Sequence, residues 1–422
     1  MMSKTIIALL LLFLPATFAA QAQSRKDKKM LERLLRKQDD SLLNAVLRKP
    51  EKYHLQIIYT QIDRDEENRA SFKTYTLGLD TTRYFYPAST VKLAAAAAAL
   101  EKLNDLDIEG LNKYTSLRID SAYAQQSRVT ADTTAANNLP SVAHYIRKIF
   151  LVSDNDAFNR LYEFVGQKRL NKTLHDKGYK EVRLLHRLSV LDGEERARYT
   201  NPVTFYTPEG EVLYEQPLLY NPHTYPNKLS TTSLGKGYYS NGKLIKKPMD
   251  FSDKNYISLP SLHGILQSLV LPDAVDPKRR FNLTEEDYTF LYRYMSMLPR
   301  ESDYPKYDST EYYDSYVKFL LFGDSEKKMP EHIRIFNKVG NAYGYMIDNA
   351  YVVDFENQVE FLLSAVILAN EDMVFNSDDY QYETVALPFL AKLGKAVHKH
   401  ELQRKRKYKP NLERYMLKYE VP

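Results

Sequence analysis

Strand-forming stretches in this chain gather near its two ends, with a long and mostly helical stretch between them. Residues 54–63 (HLQIIYTQID) and 70–80 are rich in β-branched and aromatic side chains, and the charged link 64–68 between them reads as a hairpin loop. Three more candidates follow in quick succession late in the chain, at 334–339, 348–355 and 358–368, with Glu356 and Asn357 turning the last pair. Pairing the early hairpin with the late three strands predicts one five-stranded antiparallel sheet, which forms only if the two ends of the chain meet. That is an α+β design. Helical spacing is found at 30–46 (MLERLLRKQDDSLLNAV), 91–103, 141–178, 259–271, 285–297 and 383–398. The terminal helices should cover one sheet face and an all-α layer, about 89–330, the other, leaving a cleft at the boundary where active sites collect. Within that layer, residues 201–254 are loaded with Pro, Gly, Tyr, Asn and Lys without a sustained period, so an irregular insertion is expected. No internal repeat is present.

The first residues read as an address label. Lys4 precedes an apolar run at 6–14 that is too short to span a bilayer, and Ala20, Gln21 and Ala22 form a small-residue cleavage pattern. A signal peptide over 1–22 is expected, with a mature chain starting near Gln23 and a periplasmic or secreted destination. The chain has no cysteine, so neither a lipid anchor on cysteine nor a disulfide framework is available. The apolar core must hold the fold alone, and a chain of this length buries roughly 70% or more of its unfolded surface. No later stretch reaches the roughly 18 apolar residues of a membrane helix. Basic clusters at 25–37 and 404–409 read as solvated helix faces or tails ahead of a surface that tracks anionic polymer. The expected division is therefore a catalytic domain over 26–398 and a basic tail over 399–422. The 34 tyrosines, against no tryptophan, make aromatic burial amphipathic.

Ser89 and Lys92 stand three apart at a helix start, on one face and one turn from each other. A lysine packed into a small-sided apolar layer is driven toward its neutral form and can take a proton from a hydroxyl. The helix that follows holds six consecutive alanines, 94–99, and its N-terminus adds backbone N–H groups near the serine. The spacing S-x-x-K occurs five times, also at Ser233, Ser240, Ser315 and Ser325, but only Ser89 follows an aromatic run and Pro87 and opens an apolar helix. Ser153-Asp154-Asn155 occurs once, between two helices. It reads either as an ordinary helix cap or as a hydroxyl relay with an amide donor across the cleft. Lys338-Val339-Gly340 falls where a strand would border the cleft; its lysine would attract an anionic group, and its glycine would let substrate lie against the strand edge. A second K-x-G, Lys392-Leu393-Gly394, sits in the last helix and reads as structural.

Together STVK, SDN and KVG, in that order, resemble the S-x-x-K, S-D-N and K-T-G signature of the serine β-lactamase and penicillin-binding family, and SDN points toward class A. The resemblance covers about 26–398, and 168–187 is similar to the segment that precedes the Ω-loop. It implies a β-lactamase-like fold, a nucleophile at Ser89, proton handling by Lys92 and Ser153, and substrate contacts from Asn155, Lys338, Gly340 and the backbone N–H of Asn341. Two positions depart from the family pattern. Ser189 stands where a deacylating glutamate is expected, leaving Glu194 and Glu195 as the nearby acids, and Val339 replaces a hydroxyl residue. The implied activity is hydrolysis of β-lactam amides through an acyl-enzyme. A D-alanyl peptidase or penicillin-binding enzyme that deacylates slowly is the alternative, and a non-catalytic peptidoglycan-binding module is a reading of another class. The expected partner is a small-molecule β-lactam or cell-wall peptide acting on a monomer. No metal, cofactor or nucleic-acid motif is found.

Overall fold

A computed structural model describes residues 26, 28–123, 127–190 and 192–419; the expected signal peptide lies outside them. The two ends of the chain do meet in one five-stranded antiparallel sheet. Strands β1 (Gln56–Arg64) and β2 (Ala70–Leu77) form the early hairpin, and β3 (Ile333–Ala342), β4 (Tyr345–Asp354) and β5 (Val359–Leu368) form the late set. The order is β3-β4-β5-β1-β2, closed by β1 against β5 with Gln56 opposite Val366 and Gln61 opposite Phe361.

Alternation along the strands divides the core in two. Ile57 and Tyr59 of β1, Ile335 of β3, Val352 of β4 and Leu363 of β5 pack with Leu35, Val46, Phe389, Leu393 and Val397 of the terminal helices. Their neighbours Ile58, Phe336, Tyr351, Val353 and Leu362 pack with the helical layer. Because both faces are covered, β4 and β5 are buried throughout. The centre of the layer is helix α1 (Val91–Leu106), buried from Val91 to Leu103, where Ala94–Ala99 let neighbouring helices come close. Around it stand α2 (Val142–Val152), α3 (Asn155–Val165), α4 (Leu259–Val270) and α5 (Glu285–Ser296).

Several expectations need correction. The late strands come closer together than the sequence suggests: β3 runs on to Ala342 and β4 begins at Tyr345, joined by Tyr343 and Gly344 at φ 55° and 79°. Two central residues with positive φ make the turn that best matches strand twist, and glycine supplies one of them without strain. The single helix expected at 30–46 is broken, because Asp40 accepts the backbone N–H groups of Leu42 and Leu43 and starts a new helix, Ser41–Arg48. The last helix opens with a π-helical turn, Tyr382–Ala386, and its α-helical part, Leu387–Gln403, runs further than expected. Strands are not confined to the chain ends either. Ser116–Ile119 pairs with Val203–Tyr206, and the 201–254 region, irregular over most of its length, carries several short strands.

The expected basic tail is packed against the body. Glu401, fully buried, gathers the guanidinium groups of Arg404 and Arg406 and the hydroxyl of Tyr59. Arg404 also bonds the Ile62 carbonyl at 2.8 Å, and Leu412 and Tyr415 enter the core beside Tyr292, Phe336 and Tyr351. Removing residues 404–422 should therefore lower the unfolding free energy by roughly 3–5 kcal/mol, the cost of losing one buried aromatic, with a further loss from the stranded Glu401 carboxylate. Denaturant unfolding of the shortened chain checks this, and an unchanged midpoint would contradict the docking.

Candidate active site

Three elements meet at one end of the sheet: the turn Ala88–Thr90 that opens α1, the junction between α2 and α3, and the free edge of β3. Ala88 is held at φ 48°, in the left-handed region that a residue with a Cβ rarely adopts, immediately before half-buried Ser89. Gly340 of β3 lies against this turn. A Cβ there would stand 2.8 Å from the Pro87 carbonyl, 2.9 Å from the Ser89 nitrogen and 3.0 Å from the Thr90 nitrogen, so only glycine lets strand and turn touch.

The Ser153-Asp154-Asn155 triplet divides its work. Asp154 is the helix cap, accepting the Ala157 N–H at 2.8 Å. Ser153, at φ 60°, ends α2 and turns both its oxygens toward lysines. The Lys92 amine donates to the Ser153 carbonyl, to the Ser153 hydroxyl at 3.4 Å and to the Asn155 amide oxygen at 2.7 Å. The Lys338 amine donates to the same Ser153 hydroxyl at 2.8 Å and to the Val339 carbonyl at 2.8 Å. Both amines are buried. Burial pulls Lys92 down to about 7, against a weaker opposing effect of the Asp154 charge. Lys338 is pushed well below its ordinary value, by burial first and then by the neighbouring charge of Lys92. The Lys92 amine can therefore exchange protons with a hydroxyl near neutrality.

Asn155 links this centre to the next loop, donating to the Ser189 hydroxyl at 2.8 Å. That loop is clamped by buried Arg187, which bonds Glu163 at 2.8 Å, Asp192 at 2.9 Å and the Tyr199 carbonyl at 2.6 Å, and lies over the Tyr162 ring. Ser189 lines the cleft with Ser89. Glu194 and Glu195 do not line it: they lie on a short exposed helix, Glu194–Ala197, on which Arg198 pairs with both. Val339 is also absent from the lining. Its side chain is buried with the terminal-helix side of the core, since strand alternation turns it away from the face that carries Lys338.

The cleft holds about 440 Å³ and is lined by Ser89, Asn155, Ser189 and Asn341, together with residues that the motifs did not single out: Tyr86, Tyr343, Asn376, Asp378, Tyr380 and Tyr382. The insertion reaches this rim. Its strand Gly237–Ser240 pairs in parallel with Val374–Phe375, and Phe251 packs against Tyr343 and Phe375. Among the described residues no group of three or more His, Asp or Glu side chains is placed to hold a metal ion, and no helix is long and apolar enough to cross a membrane.

A sheet closed by both chain ends, a helical layer on one face and a serine turn at their boundary frame the cleft. Residues 25–211 match the model of the Beta-lactamase enzyme family. Similar solved structures include a β-lactamase from Sphaerobacter thermophilus, 10% identical, with 86% of this chain and 96% of that one covered and a TM-score of 0.47. A class A β-lactamase from Clostridium kluyveri is 15% identical, with coverages of 85% and 97% and a TM-score of 0.47. A β-lactamase from Xanthomonas campestris is 15% identical, with coverages of 88% and 98% and a TM-score of 0.46. No curated protein matches the chain.

Gly340→Ala should force β3 and the Ser89 turn apart, at a cost of about 1–3 kcal/mol for overpacking against backbone. Thermal and denaturant unfolding measure it, and a variant as stable as the parent would contradict the close approach.

Proposed function

We propose that this chain is an exported serine hydrolase whose Ser89 is acylated by β-lactams or related amides. The observation that carries the reading is the meeting of the Lys92 and Lys338 amines at the Ser153 hydroxyl, beside the turn that presents Ser89. Ser89 Oγ attacks the amide carbonyl carbon and gives its proton to the neutral Lys92 amine. The oxyanion accepts hydrogen bonds from the backbone N–H groups of Ser89 and Asn341, which the Gly340 contact holds together. As the C–N bond breaks, the Ser153 hydroxyl passes a proton to the leaving nitrogen and is resupplied from the lysines. Asn155 holds the acyl chain, and Lys338 attracts an anionic group.

Release of the acyl group requires a base for the attacking water. A hydroxyl at Ser189, in contact with Asn155, is no such base, and Glu194 and Glu195 are paired elsewhere. This favours slow deacylation, as in a penicillin-binding enzyme or D-alanyl peptidase, over rapid β-lactam turnover.

The test is to follow adduct formation with a fluorescent penicillin by intact mass, and turnover with a chromogenic cephalosporin. The expected result is a persistent adduct of one acyl group that is lost in Ser89→Ala. Equal labelling of parent and variant would remove Ser89 from its role, and no labelling of either would favour a binding module. Because Lys92 is the base only when neutral, acylation should rise with pH to a plateau above about 7, falling by roughly tenfold per unit below that. A limb near the ordinary lysine value would contradict the assignment.

A further inference from the structure

The Lys92 and Lys338 amines point to Ser153, and neither lysine lines the cleft opening. Among the side chains that do, one is charged, and it is the carboxylate of Asp378. Asp378 is exposed and has no ion pair or hydrogen bond to its carboxylate among the described residues.

Its loop is held in shape. Asn376 and Asp378 stand at φ 55° and 58°, which Asn and Asp adopt more readily than other residues with a Cβ. The Asn376 N–H donates to the Tyr380 hydroxyl at 2.8 Å, its side-chain amide to the Tyr239 carbonyl of the insertion at 3.1 Å, and the Ser377 hydroxyl to the Val374 carbonyl at 3.1 Å. Tyr380 and Tyr382, with rings 5.4 Å apart, complete this wall. Burial above all keeps both phenols protonated, Tyr380 being pushed up to about 12, and the Asp378 charge acts in the same direction. Neutral aromatic rings beside one unpaired carboxylate form a surface for a cation.

We propose that Asp378, with Tyr380 and Tyr382, forms a subsite for a substrate ammonium group, so that the cleft selects cationic or zwitterionic amides over purely anionic ones. The proposal rests on the Ser89 reading for the identity of the reacting bond, but not for the binding itself.

The test uses three penicillins that share nucleus and phenyl side chain: ampicillin carries an ammonium on the side chain, benzylpenicillin a hydrogen and carbenicillin a carboxylate. Dissociation constants are measured on full-length Ser89→Ala, where binding is read without chemistry. Ampicillin should bind tightest and carbenicillin weakest, each step on the order of fivefold, the size of one charge pair near water, and Asp378→Asn should erase the order. No measurable binding, no order, or an order untouched by Asp378→Asn would overturn the subsite. Acylation of the parent enzyme is read alongside. An intact order without acylation overturns the Ser89 reading alone, whereas acylation without the order overturns the subsite alone.

Discussion

One hydroxyl bonded by two buried amines holds the two halves of this molecule in register. Lys92 comes from the central helix, Lys338 from the edge strand and Ser153 from the junction of two further helices. Burying an amine costs several kcal/mol unless it is bonded or neutral, so the two lysines tolerate burial only with their acceptors in place. Each is driven toward its neutral form there, and the same desolvation that weighs against folding makes proton exchange near neutrality feasible for Lys92.

Around that centre the chain uses close backbone contact where the chemistry needs fixed geometry and side-chain clamps where it needs a shaped loop. Gly340 brings β3 against the Ser89 turn with no room for a methyl group, and Ala88 is held in a left-handed conformation by the same contact region. Arg187 instead ties its loop to α3 by hydrogen bonds and a stacked ring, leaving Ser189 exposed at the cleft. Covering both sheet faces with helices leaves the rim of the cleft to be built by other segments, and the insertion supplies them through the 374–378 wall.

Much of this was legible from the sequence because it is local. Runs rich in β-branched and aromatic residues marked β1 and β2, and an alanine-rich helix opened by a serine marked the start of α1. Lys92, Ser153, Asn155 and Lys338 meet through hydrogen bonds, and Ser89 lines the cleft with Asn155. What escaped was set by distant contacts. The strand read at 334–339 stops short: it runs on to Ala342 and into a tight hairpin that two positive-φ residues allow. The run QRKRKYK looks like a solvated tail, yet buried Glu401 draws its first two arginines inward. Asp378 and Tyr380 carry no motif at all; only the pairing of Val374–Phe375 with the insertion brings them to the cleft.

The account turns on where an acyl group would sit, and a crystal structure of the protein soaked with a penicillin reads that directly. The expected result is continuous density from Ser89 Oγ to the opened ring, with the ester oxygen within hydrogen-bond distance of the Ser89 and Asn341 backbone nitrogens and Ser153 still between the two amines. Density joined to another residue, or an ester oxygen turned away from those nitrogens, would contradict it.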